Sequence, residues 1–226
     1  MENEIELLGY YGSDRIIAGS AWTSTSRDIT PDKESRIPAL VKNLWENGHH
    51  TPFEKANVHF LVNTDIATHI HLLKHRTAHI NGESARYKEL KEDKFYLPKD
   101  WADIESSSQI GYKSNYISID PQLKRWVDIL EDYTKLGNIL YHQSLKDLEP
   151  KLGRKRSKES ARYFKTYNSQ IQADVQFDMR NFGGFLKLRY DDHAQSEIYD
   201  IAHKMLDLVK NIEGNPFEHT IKSWGY

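Results

Sequence analysis

The sequence contains no cysteine. That absence excludes disulfides, thiolate metal sites and every mechanism built on a cysteine nucleophile. Long apolar runs are missing too: no stretch approaches the ~20 residues of a membrane span. The opening MENEIELLGY has neither the basic flank nor the apolar run of a signal peptide, so the expected setting is intracellular, soluble and cytoplasmic. Nor is there a surplus of one charge. With 31 Lys and Arg against 33 Asp and Glu, the net charge of −2 draws the chain neither to nucleic acid nor to an anionic membrane, and any anion site must be local. Repeats and low-complexity tracts are absent, and no linker divides the chain.

What is present favours a folded chain. A length of 226 residues suffices for one domain, expected to span residues 1–226, and by size scaling buries about 70% of the unfolded surface. With 13 Tyr, 8 Phe and 5 Trp the composition is too aromatic for disorder.

Periodicity supplies the elements. Residues 3–11 read as a short strand, and Ile37, Leu40, Val41, Leu44 and Trp45 give helical spacing over 35–47 until Gly48. From Phe53 onward Val58, Phe60 and Val62 alternate with Asn57 and His59, which predicts a half-buried strand. Asn63, Thr64 and Asp65 offer caps for a helix through Ile66, Ile70 and Leu73, and residues 77–86 then read as a polar loop. Pro121 opens a helix whose apolar face carries Leu123, Trp126, Val127, Leu130, Tyr133, Leu136 and Leu140, destined for a core or a subunit interface. A shorter helix follows Ser157. Ile171, Ala173, Val175, Phe177 and Met179 alternate as a second strand, and a last helix over 194–211 has Asp192 and Gln195 spaced as a capping box. Strands placed irregularly among helices argue for an α+β fold, a small antiparallel β-sheet packed by several α-helices.

The densest chemistry lies in residues 74–90, where Lys74, His75, Arg76, Arg86 and Lys88 surround small hydroxyl and amide side chains. Guanidinium forks match phosphate, Ser84 adds a short donor, and Gly82 lets the main chain approach a ligand. From composition alone, a solvated polar turn competes with an anion site. His71, His75 and His79 would share one helical face if the helix continued that far, the spacing of a possible metal face, but no carboxylate ligand lies nearby and no metal is assigned. The basic run 151–158 lacks the interleaved aromatics of a nucleic-acid surface and reads as a solvated loop, with the charge of an anionic small molecule as its possible attraction.

Lys74-His75-Arg76, Asn81, Ser84 and Arg86-Tyr87 together resemble the signature R-H-R-x-x-S-x-N-x-x-S-x-R-Y of flavin-dependent thymidylate synthases. NGHHTPFE at 47–54 resembles the same family's H-x-[ST]-P-F-E box, and FLKLRYDDHAQSEI at 185–198 its L-R-x-x-x-H-A-Q-x-E-I box. Lys74 and His79 depart from the signature's first arginine and first serine, Gly82-Glu83 from its common glutamate, and Asp178 and Gly184 from asparagines that some members have.

This resemblance implies reductive methylation of dUMP to dTMP, with methylenetetrahydrofolate as one-carbon donor, FAD as carrier and hydride source, and NADPH as reductant. It implies a homotetramer with FAD at subunit interfaces and no nucleic-acid or membrane partner. It assigns catalysis to Arg189, whose guanidinium would stabilise charge at N3 of the pyrimidine. Flavin contacts fall to His49, Thr51, Glu54, Lys74, His75, Arg76, Asp178, Arg180 and His193. Substrate contacts fall to His71, Lys74, Glu83, Ser84, Arg86, Arg162 and Arg189. The alternative is a flavin- or nucleotide-binding homologue without synthase turnover, and a third reading, a histidine-rich metalloprotein, predicts zinc or iron after purification.

Overall fold

In the computed structural model the described residues are 2–26, 28–107, 112–113, 118–119 and 125–226. The alternation at Val58, Phe60 and Val62 is realised in β2 (Asn57–Asp65), which pairs antiparallel with β1 (Glu4–Tyr11) from Glu4 opposite Asn63 to Tyr11 opposite Asn57, with an irregularity between Leu7 and Gly9. Between them lie α1 (Asp14–Trp22), α2 (Pro31–Ser35), α3 (Ile37–Glu46) and a 3-10 turn at Thr51–Lys55. After β2 come α4 (Ile66–Leu72), β3 (His79–Gly82), a 3-10 turn at Lys99–Trp101, and the backbone pairing of β4 (Tyr112–Lys113) with β5 (Ser118–Ile119). The rest is α5 (Trp126–Ala161), a 3-10 turn at Arg162–Phe164, β6 (Gln170–Asp178), α6 (Met179–Arg189), α7 (Ser196–Lys210) and α8 (Glu218–Trp224). A small antiparallel sheet of order β1-β2-β6-β3 with helices around it makes the fold α+β, as its sequence pattern predicts.

The chain packs into two units. One comprises Asn3–Asn63, Ile70–Asn81 and Ala173–Tyr226. Its core joins Val58, Phe60, Val62, Ala173, Val175 and Phe177 from the sheet to Ile17, Val41, Phe182, Leu186, Ile201 and Met205 from the helices, all buried. Each fully buried side chain of this size contributes about 1.5–3 kcal/mol. The C-terminal α8 is fastened by Asp14, whose carboxylate accepts from the backbone N–H of His219 (2.7 Å) and Thr220 (3.0 Å) and from Thr220 Oγ1 (2.6 Å). Gly12 permits the tight exit from β1: its φ is +96° and a Cβ there would lie 2.6 Å from that of Ala56.

The other unit comprises Met1–Glu2, Thr64–His69 and Gly82–Gln172. Asp65 Oδ1 accepts from the Thr68 N–H at 2.9 Å, so the predicted cap of α4 is made. A smaller core of Tyr141, Leu145 and Ala161, with Leu90 packed on it, sits along α5.

Several expectations change. Residues 77–86 are not all loop, since β3 takes 79–82. Pro121 and Leu123 lie outside the described residues. From Trp126 the helix runs to Ala161, past Leu140 and through the segment after Ser157, because the chain resumes helical geometry after one non-helical residue, Gly153 (φ 75°, ψ 157°). Its buried positions include Ile129, Thr134, Gly137, Asn138, Tyr141 and Leu145, whereas the predicted apolar face leaves Trp126, Tyr133 and Leu140 exposed. Met179 begins α6 rather than ending the strand, because Asp178 accepts from the Asn181 N–H and starts a helix. The capping box of α7 does not form: Gln195 stands at the N-cap without a side-chain cap bond and donates instead to Glu197 at 2.8 Å.

Candidate functional site

Some of the residues singled out by sequence are paired in the structure, in two places, one in each unit. In the unit containing the sheet, α6 carries Arg189 in its last turn and the turn after α4 carries His75. Arg189 Nε donates to His75 Nε2 at 3.0 Å, and Phe185, one turn before Arg189, packs edge-on against the His75 ring at 4.9 Å. Burial, then the positive charge of Arg189, then His71, hold the His75 pKa down to about 4. Neutral imidazole is therefore the form that accepts the Arg189 hydrogen bond at neutral pH. His71 is shifted down for the same first two reasons, opposed by a hydrogen bond to Gln195. Spending Nε–H on His75 leaves the two terminal Arg189 nitrogens without a hydrogen-bond partner among the described residues.

Around this pair the structure separates the remaining candidates. Glu54, in the turn after α3, is ion-paired to Arg180 in the first turn of α6. Asp178 is engaged as the N-cap of α6, with Asn181 Nδ2 donating to its second oxygen. His49, Thr51, Lys74, Arg76 and His193 are exposed. Neither Lys74 nor Arg76 has an ion-pair partner among the described residues, the condition in which cations are available to an anionic ligand. Because α4 ends at Leu72 and His79 lies in β3, His71, His75 and His79 do not share a helical face.

The second pairing lies in the other unit. Ser84 starts a turn in which its Oγ accepts from the Arg86 N–H at 3.4 Å and its carbonyl from those of Tyr87 and Lys88. Arg86 Nε donates to Glu159 Oε1 on α5 at 2.9 Å, and Lys158 donates to the Tyr87 carbonyl at 2.8 Å, so the basic segment of α5 holds this turn. Glu83 is tied by Lys88 at 2.7 Å and by the Gln172 N–H at 3.3 Å. Arg162, at the C-terminus of α5, is exposed and its side chain has no partner among the described residues.

Three partners escaped the sequence reading. Gln195 on His71 and Glu159 on Arg86 are visible only as polar residues inside motifs. Lys165 gave no signal: it is a lone lysine whose side chain is only 3% exposed, bonded to Asp93 and Asn138.

A family model described as thymidylate synthase complementing protein matches residues 6–213. The chain belongs to the thymidylate synthase complementing protein family. Flavin-dependent thymidylate synthases of Wolbachia pipientis wMel, Gluconobacter oxydans and Treponema denticola are 33%, 31% and 31% identical to it. The alignments cover 91%, 91% and 92% of this chain and 69%, 66% and 75% of those proteins, so it spans about two thirds to three quarters of their length. Among solved structures, a UMP/dUMP methylase from Streptomyces cacaoi shares the fold with a TM-score of 0.73 at 23% identity, over 99% of this chain and 95% of that one.

In this member of the thymidylate synthase complementing protein family, the departures from the signature differ in their surroundings, and a Cβ at Gly82 would lie 3.1 Å from His69 Nε2. Lys74 and His79 are both exposed. At Gly184 a Cβ would meet nothing within 4 Å, so the missing side chain leaves open space on α6 rather than a repacked core.

Proposed function

We propose that the chain, as one flavin-dependent thymidylate synthase domain over its 226 residues, methylates dUMP to dTMP without a covalent enzyme–pyrimidine bond. The observation that carries this reading is the Arg189–His75 pair at 3.0 Å in a chain with no cysteine. C5 of uracil is a weak nucleophile, and thiolate addition at C6 is one way to activate it. A fixed guanidinium offers another: its terminal N–H groups favour negative charge at N3 and on the adjacent carbonyl oxygens, which raises electron density at C5. A neutral His75 suits this role because it accepts from Nε without competing for the substrate's charge.

The residues present fit FAD by the chemistry of their donors. Lys74 and Arg76, without ion-pair partners among the described residues, are cations suited to its diphosphate, and His49, Thr51, Glu54, His75, Asp178, Arg180 and His193 complete the assigned contacts. When bound, FAD supplies hydride and one-carbon transfer, with NADPH as reductant and methylenetetrahydrofolate as donor. Ser84, Arg86 and Arg162 hold the phosphate and base of dUMP, with Glu83, His71 and Lys74 as further contacts and Arg189 acting on the base. The setting is cytoplasmic and the partners are small molecules, without nucleic acid or membrane. No helix among the described residues is long and apolar enough to cross a membrane.

The assembly is a homotetramer in this proposal, which gives the exposed Trp126, Tyr133 and Leu140 of α5 a second chain to cover them. The decisive experiment starts with an absorbance spectrum: pure protein is yellow, with flavin absorbance that scales with protein. Incubated with dUMP, methylenetetrahydrofolate and NADPH, it then releases the C5 hydrogen of dUMP and yields dTMP. Protein that cannot be loaded with FAD overturns the reading, and yellow protein that makes no dTMP reduces it to a binding homologue.

A further inference from the structure

We propose that Lys165 is a positioning residue for the substrate phosphate, one that fixes the turn bearing Arg162 relative to the segment bearing Ser84 and Arg86. The inference rests on the proposed dUMP reading and adds to it a residue outside every motif. Lys165 Nζ lies 2.6 Å from Asp93 Oδ1 and 2.7 Å from Asn138 Oδ1, and 4.5 Å from the centre of the Tyr141 ring. Its side chain is 3% exposed and Tyr141 is fully buried. Asp93 is also bonded by His142 Nε2, at 2.9 Å to its second oxygen, and takes a left-handed backbone with φ 49°. Further bonds run in parallel: the Leu90 N–H donates to Tyr141 Oη at 3.1 Å, that of Tyr96 to the Asn168 carbonyl at 2.8 Å, and that of Gln170 to the Lys94 carbonyl at 3.0 Å.

These contacts join three stretches of one unit: residues 90–96, the middle of α5, and residues 165–170. Ser84 and Arg86 lie just before the first stretch, and Arg162 just before the last. A buried ammonium costs several kcal/mol in desolvation, and an apolar side chain of similar volume is often as stable or more so. Burying this charge therefore adds little to stability. Its geometric effect is larger, because one cation bonded to two chain segments at once sets their spacing, and Arg–phosphate recognition depends on that spacing.

The test compares dUMP with deoxyuridine, the same ligand without phosphate, on flavin-loaded, full-length protein by isothermal titration. Lys165→Met is expected to weaken dUMP about tenfold while leaving deoxyuridine affinity unchanged, and to raise the KM for dUMP with kcat held within about twofold. Asp93→Asn is the second variant. It keeps a hydrogen-bond acceptor and tolerates the left-handed backbone, so it tests the same contact in a chain that keeps its fold should Lys165→Met lose it, and it is expected to show a smaller loss that is likewise selective for the phosphate. Equal weakening of both ligands, or no change in either, overturns the assignment. A wild-type protein that does not bind dUMP overturns the synthase reading beneath it; a wild-type protein that binds dUMP, beside variants that bind it equally well, overturns only the role of Lys165.

Discussion

At the scale of single residues, the proposed function gives Arg189 and Arg162 different work on one substrate. Arg189→Ala removes the charge that the proposal sets against the base, so the protein is expected to keep its fold and its flavin and to lose most of its kcat. Arg162→Ala removes the proposed phosphate contact, worth about 2 kcal/mol, so dUMP binding is expected to weaken by tens-fold while turnover at saturation persists. Steady-state kinetics with direct dUMP titration separates the two, and equal losses in kcat at unchanged dUMP affinity refute the division. His75 adds a pH dependence with a definite sign. Its folded pKa is lowered to about 4, below the ordinary ~6.5 of an unfolded histidine. Between these values the unfolded chain binds more protons than the folded one, so this group destabilises the fold as pH falls from about 6.5 to about 4 and has no such effect above that window. His75→Gln removes the titration, and urea midpoints measured at pH 7 and pH 4.5 should then differ less than in the wild type. Residues such as these stood out in the sequence because they fall in segments that resemble the family's motifs. Lys165 was not, because its partner Asp93 is 72 positions away and only folding brings them together.

At the scale of elements, legibility followed burial. β2 and β6 alternate cleanly because one face meets a core, and α7 keeps helical spacing because Ile198, Ile201, Ala202, Met205 and Val209 all point inward. α6 was invisible: the alternation of β6 runs into Met179, and Gly183-Gly184 lowers helix propensity where tertiary packing of Phe182, Phe185 and Leu186 restores it. The reach of α5 was misjudged because its buried face includes Thr134, Gly137 and Asn138, small and polar positions that carry no hydrophobic period. Gly137 is there for contact. A Cβ at that position would lie 2.4 Å from the Phe164 carbonyl oxygen, a backbone atom that cannot swing aside. Gly137→Ala should therefore destabilise by about 1–3 kcal/mol through overpacking, although alanine is the better helix former. Chemical denaturation checks this, and a neutral or stabilising effect would show that α5 and the turn at 162–164 separate freely.

At the scale of the whole molecule, exposed apolar groups point to the assembly. Trp126, Tyr133 and Leu140 recur every seven residues along α5 with exposures of 38%, 54% and 36%, and Ile139 is 54% exposed beside them. A seven-residue apolar repeat is the pattern with which one helix packs along another. If this stripe is the contact between copies, Tyr133→Lys places an ammonium in each interface, where desolvation without a partner costs several kcal/mol. Light scattering should then report a smaller species than the tetramer proposed for the wild type. Since the proposed flavin site is completed only by neighbouring chains, flavin absorbance and dTMP synthesis should fall together with the mass. A Tyr133→Lys variant that stays tetrameric moves the interface off this face, and one that becomes monomeric yet keeps its flavin and its activity shows that a single chain builds the whole site.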